Sequence, residues 1–240
     1  MRKSIRKYKQ QNVSDTLLNQ LLTEAEHTQT MGNLQLYSVV VTRSEEKKQQ
    51  LAPAHFNQPM VTQAPVVLTF CADYNRITEW ALQRNAHPGY NNFLSYQNAM
   101  TDALLYCQRF CDLAEAQGLG LCFLGTTIYQ PQRIIKVLDL PQLVMPVATI
   151  TLGWPDENPD VSERLPLSAI RHNETYKQAT AESINRDYTA KEQMPINKHF
   201  VEINHKETLA QVFTDIRYTQ SDCELMSAGL LEALKQQGFL

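Results

Sequence analysis

Residues 95–125 read SYQNAMTDALLYCQRFCDLAEAQGLGLCFLG, and the fold class turns on how this run is interpreted. Across 95–117, Ala99, Ala103, Leu104, Cys107, Phe110, Cys111 and Ala114 recur at helical spacing. They cover more than one stripe, which predicts a long helix buried on several sides. Gly118 is a natural stop, and LCFL between glycines reads as a short strand. The glycines at 118, 120 and 125 lack the G-x-G-x-x-G spacing and do not open a helix of that kind, so a dinucleotide-binding βαβ turn is excluded.

Upstream, Ser14 can cap a helix whose Leu17, Leu18, Leu21, Leu22 and Ala25 form one apolar stripe up to about His27. LQLYSVVVT is a β-branched run of strand length, RSEEKKQQ a short exposed helix whose Glu45 and Glu46 form a solvated face, and APVVLTFCAD a strand buried on both faces. Downstream, PQRIIKVLDL is a short helix with Pro131 in its first turn, and LVMPVATITLG is another buried strand. The signal then weakens until Ser221-x-x-Glu224, which is expected to open a last helix with Met226, Leu230, Leu231 and Leu234 facing inward. There is no repeat at periods of 20–50 residues. The expectation is an α+β fold layered around one sheet, a single domain over 1–240 with an irregular C-terminal extension from about 177 to 240.

With 240 residues and 43% hydrophobic composition the chain can bury a large core. A net charge of −3 argues against a surface built to neutralise nucleic-acid phosphates. No apolar run approaches the roughly 18–20 residues of a membrane span, and the first residues are charged with no secretory h-region, which places the chain in the cytoplasm. Five scattered cysteines suit reduced thiols. Cys107 and Cys111 share a helical face without a second ligand pair, and His199 and His205 around Glu202 lack ligand spacing, so packing or surface roles account for both groups.

Against this acidic background, residues 2–8 read RKSIRKY, and five of the 22 Lys and Arg fall within residues 2–9 with no acidic neighbour. A local patch calls for a local anion: nucleic acid, a membrane surface, or a phosphate on a small ligand. In an extended segment Arg2, Ser4 and Arg6 point to one side and Lys3, Ile5 and Lys7 to the other. Taken alone, the run also fits a frayed, solvated terminus.

Four stretches in order, RKSIRKY, HTQTMGNLQLYSVVVT, the pair FCADYNR and AQGLGLCFLG, and LGWPDENPDVSERLPL, resemble the nitroreductase family of FMN-dependent oxidoreductases, most closely the branch with the major oxygen-insensitive nitroreductase and flavin reductase P. The resemblance spans residues 1 to about 176, and LLEALKQQGF is similar to that branch's terminal helix. It implies a mixed, mostly antiparallel sheet flanked by helices, and an interlocked homodimer with FMN at each of two interface sites. It also implies ping-pong chemistry: NADPH or NADH reduces the flavin, departs, and makes room for a nitroaromatic, quinone or flavin acceptor. No catalytic protein residue and no metal are implied, because the flavin carries the chemistry.

Residue by residue, the resemblance implies FMN contacts from Arg2, Lys3, Ser4 and Arg6. Arginine forks onto phosphate, a hydroxyl meets the ribityl chain, and a cation at the N1/C2 edge favours the reduced flavin. Thr30, Met31 and Asn33 would meet the ring, commonly from the partner subunit. The Gln58 amide would pair with the N3 donor and O4 acceptor. Leu124, Gly125 and Thr126 would approach by backbone, and Arg164 would reach the phosphate. Ser162 stands where many members of the branch carry a second basic residue, and Ser227-Ala228 where an Arg-Pro pair is usual. Arg186, Lys191 and Lys198 are the available substitutes for the expected 2′-phosphate grip. These departures leave a second reading, a flavin-binding carrier with little or no turnover.

Overall fold

The computed structural model describes residues 2–240. The chain divides into two compact units, one formed by residues up to Asp160 together with Met226–Leu240, the other by Val161–Leu225.

The first unit is built on four strands. In chain order its elements are α1 (Asp15–Ala25), β1 (Tyr37–Thr42), α2 (Glu45–Leu51), α3 (Pro59–Gln63), β2 (Val66–Asp73), α4 (Asn75–Leu82), α5 (Phe93–Ala116), β3 (Gly120–Leu124), α6 (Pro131–Leu138) and β4 (Val144–Gly153). The sheet order is β1-β2-β4-β3, and all three pairings are antiparallel. The two central strands are buried throughout, as their continuous apolar runs predict. Alternation along β2 sends Val66, Leu68, Phe70 and Ala72 to the core beneath α1 and α5, and Val67 to a second core shared with Ile5, Tyr8, Ala54, Met60, Leu124 and Ile134.

Helix α5 differs from expectation. Its buried residues, among them Ala99, Ala103, Cys107, Phe110 and Ala114, lie on one face, whereas Leu94, Leu104 and Leu105 are exposed. Spacings of three and four residues keep the buried set in register; Leu104 lies off that stripe. Lys48 of α2 is also buried, with Nζ donating to the Ala64 carbonyl at 2.8 Å, and burial lowers its pKa.

The second unit is more regular than its sequence suggested. It contains α7 (Ala181–Glu192), α8 (Pro195–Ile203) and α9 (Leu209–Val212), the first and third opened by capping boxes at Thr180 and Thr208. Both boxes use Ser or Gln rather than Glu at the third position, and this polar stretch has a weak apolar period, so the helices escaped detection. His199, Glu202 and His205 are exposed. The last helix, α10 (Gln220–Gln236), begins two residues earlier than expected: Thr219 Oγ1, not Ser221, accepts from the Asp222 N–H at 3.2 Å. Leu234 is buried, but Leu231 is about half exposed. No helix among the described residues is long and apolar enough to cross a membrane.

The opening segment is a strap laid across one end of the sheet. The Ile5 N–H donates to the Leu121 carbonyl and the Lys9 N–H to the Trp154 carbonyl, both at 2.9 Å, and Tyr8 bridges to Pro155. Ile5 and Tyr8 are its two inward anchors, and two glycines that face each other across β3 and β4, Gly120 and Gly153, make room for them. A Cβ on Gly120 would stand 2.8 Å from Ile5, and one on Gly153 2.8 Å from the Tyr8 ring and 2.7 Å from Pro65. Gly120→Ala and Gly153→Ala are therefore expected to destabilise the protein by about 1–3 kcal/mol each through overpacking. Chemical denaturation checks this, and native stability in both variants would contradict it.

Candidate active site

The strap is neither frayed nor free to swing. The Tyr8 hydroxyl lies 2.6 Å from the Ile5 carbonyl and 2.7 Å from Thr151 Oγ1, and burial pushes its pKa up. One Glu157 carboxylate oxygen accepts from the N–H groups of both Arg6 and Lys7. Arg2 pairs with Glu115 at 3.5 Å, and Lys3 Nζ donates to Asn158 at 2.6 Å. Strict two-residue alternation fails here, because the anchors Ile5 and Tyr8 are three apart and Arg2 and Lys3 both line one recess of about 430 Å³. Arg6 is exposed and makes no salt bridge among the described residues. Its guanidinium has no carboxylate partner but stands close enough to the Cys122 thiol to oppose the rise that burial gives that thiol's pKa. Ser4, two residues earlier, is half-buried.

The second core fixes two further expected contact regions relative to the strap, since Ile5, Leu124, Ala54 and Met60 all belong to it. Leu124 is buried, whereas Gly125 is exposed and begins the short 3-10 turn Gly125–Ile128. A Cβ on Gly125 would meet nothing within 4 Å, so the backbone there is open to a flat ligand. Gln58 follows a reversal through Phe56 and Asn57, both at φ 53°. Its backbone N–H donates to the His55 carbonyl at 3.2 Å, and its own carbonyl accepts from Val61 at 3.0 Å. The Gln58 side chain is half-buried. The two turns are bonded directly: His55 Nδ1 lies 2.8 Å from Thr126 Oγ1.

The turn holding Thr30, Met31 and Asn33 lies between Ala25 and Leu36 of the other core. It follows α1 by several residues and reverses through Gly32 and Asn33 at φ 56° and 57°. Asp102, a buried carboxylate on α5, holds it by accepting from the Met31 N–H at 2.8 Å and the Leu36 N–H at 3.2 Å. Met31 is left nearly half exposed. Among the described residues no hydrogen bond joins this turn to the strap or to the Gly125 turn. Arg164 lies in the second unit, where its guanidinium donates to the Ser162 and Glu163 carbonyls at 3.3 and 2.9 Å.

Four supporting residues escaped sequence reading. Gly120 and Gly153 admit the strap, Asp102 holds the Met31 turn, and His55 joins the Gln58 and Thr126 turns. A lone histidine in a loop and an aspartate within an apolar helix carry no signal of burial. Only the excess of glycine around β3 hinted at a close approach.

The Nitroreductase family profile matches residues 1–154. Among characterised proteins, the FMN reductase [NAD(P)H] of Bacillus subtilis is 31% identical over 176 residues, covering 72% of this chain and 71% of that one. A crystal structure from Bacteroides fragilis superposes with a TM-score of 0.99 at 56% identity, over 100% of this chain and 97% of the other. The Bacillus subtilis NfrA1 nitroreductase structure gives 0.84 at 25% identity, over 99% and 95%. The fold is that of an FMN-type α+β oxidoreductase scaffold. The chain belongs to the nitroreductase family.

His55 also makes a testable contribution to stability. It is fully buried, and burial lowers its pKa from 6.5 to about 4. Below pH 6.5 the unfolded chain takes up a proton that the folded chain refuses until near pH 4, so stability is lost as pH falls through that window. The loss amounts to about 3 kcal/mol at 1.36 kcal/mol per unit. Urea denaturation at pH 7.5 and 4.5 should show a smaller acid loss for His55→Gln than for the native chain; equal losses would contradict this.

Proposed function

We propose that the strap, the Gln58 turn and the Gly125–Thr126 turn hold one FMN, and that this chain is an NAD(P)H-dependent FMN oxidoreductase reducing nitroaromatics, quinones or flavins. The observation that carries the reading is an Arg6 guanidinium with no carboxylate partner, on a rigid strap that shares one apolar core with two open turns. The Bacillus subtilis relative is an FMN reductase using NAD(P)H, which supports the same cofactor and donor here.

These residues fit FMN. Arg6 supplies fixed positive charge of the kind that forks onto a phosphate or stabilises a reduced pyrimidine edge. Ser4 offers a short hydroxyl, and the Gln58 amide a paired donor and acceptor. The bare Gly125 backbone admits a planar ring. Arg2 and Lys3, already paired with Glu115 and Asn158, add field more than direct contact. When bound, FMN supplies two-electron transfer between the nicotinamide and a second substrate, taken in turn at one site. The protein positions, neutralises and excludes water.

The assembly we infer is a homodimer. The exposed leucines 94, 104 and 105 on α5 give a helix face suited to a second copy. The Met31 turn, standing on the other core, would then reach the partner's flavin with Thr30 and Asn33. Overall acidity supports a small-molecule substrate rather than nucleic acid.

Purified protein should be yellow or take up added FMN, and its flavin absorbance should bleach anaerobically with NADPH or NADH and recover on adding menadione. Protein that binds FMN but oxidises neither nicotinamide would establish the carrier reading instead.

A further inference from the structure

We propose that His55 is a positioning residue: bonded to Thr126 from within the core, it sets Gln58 and the Gly125–Thr126 turn in the mutual register that a bound flavin requires. The proposal rests on the FMN reading above and adds a residue that touches neither cofactor nor substrate.

His55 is fully buried, and its Nε2 has no hydrogen-bond partner. An unpaired buried polar atom is destabilising, a cost that an apolar side chain in the same place would avoid. The bond from Nδ1 to Thr126 Oγ1 at 2.8 Å is what the imidazole adds in return. Buried N–H groups are left unpaired more rarely than buried acceptors, which assigns the ring proton to Nδ1, donating to Thr126, with a lone pair left at Nε2. Since burial holds the ring neutral down to about pH 4, the bond is constant across the neutral pH range.

The connection is short on both sides. Gln58 is tied to His55 through its own N–H, and the intervening Phe56 and Asn57 are kept in left-handed conformations, costly for non-glycine residues, by the bond from the Asn57 N–H to the Ala52 carbonyl at 2.8 Å. On the other side, the Tyr129 N–H donates to the Thr126 carbonyl at 3.0 Å, and Thr127 Oγ1 donates to the Leu124 carbonyl at 2.9 Å, closing the turn around Gly125. Apart from His55 and the apolar core, the turns meet through an edge contact between Phe56 and Tyr129 with ring centroids 6.4 Å apart. That contact is exposed on the Phe56 side and fixes no register.

The test compares His55→Leu, His55→Asn, Thr126→Val and the double variant His55→Leu/Thr126→Val as FMN-loaded protein. It measures FMN affinity, the midpoint potential of the bound flavin, and kcat and KM with NADPH. We expect His55→Leu and Thr126→Val each to weaken FMN binding about tenfold and to displace the potential. The double variant should be no worse than either single one, and His55→Asn, which keeps an N–H near the Nδ1 position, should recover most of the affinity. Thr126 is only half-buried, so Thr126→Val carries the test if His55→Leu does not fold. Native affinity and potential in folded His55→Leu, or in Thr126→Val should His55→Leu not fold, overturn the proposal, as do additive losses in the double variant. A native chain that takes up no FMN overturns the FMN reading itself, a separate and recognisable outcome.

Discussion

The strap's contact with the sheet is the constraint on which the rest of the site depends. Two glycines opposite each other at the ends of β3 and β4 leave a shallow trough, and Ile5 and Tyr8 fill it. Full burial of an isoleucine side chain is worth about 1.5–3 kcal/mol. The two backbone bonds to Leu121 and Trp154 and the buried Tyr8 hydroxyl then hold the segment in one line. A charged terminus would otherwise lose its order to chain entropy.

That anchoring resolves the charge problem posed by the opening residues. Glu157 satisfies the backbone N–H groups of Arg6 and Lys7 while the Arg6 guanidinium makes no ion pair among the described residues. Arg2 and Lys3 are partnered by Glu115 and Asn158, and burial raises the Glu115 pKa while Arg2 opposes the rise. The patch is therefore a rigid support on which Arg2 and Lys3 are partnered while Arg6, Lys7 and Lys9 are exposed and make no ion pair among the described residues.

The strands and main helices were legible because their signals are local. Continuous apolar runs gave β2 and β4, Ser14 gave the start of α1, and Pro131 gave that of α6. The contact list for the flavin came from resemblance, and the sequence alone could not have ranked Arg6 above Arg2, because that distinction depends on Glu115, more than a hundred residues away. The same limit hid His55 and Asp102: a polar side chain in a core is recognised by its partner, and Thr126 and the Met31 N–H are both about 71 positions distant. Leu104 failed for the opposite reason. Composition marked it as core, but its angular position on α5 left it outside the buried stripe. Helices α7 and α9 were missed because polar or very short helices stabilised by caps leave little apolar period to read, and α8, opened by Pro195, has no side-chain cap to mark its start.

The central claim is that an anchored cationic strap holds the phosphate end of a flavin nucleotide. The most direct measurement is a parallel binding titration with FMN and with riboflavin, which differ only in that phosphate. FMN should bind at least about tenfold more tightly, with the gap narrowing as salt is raised. Equal affinity for the two flavins at low salt would contradict the account.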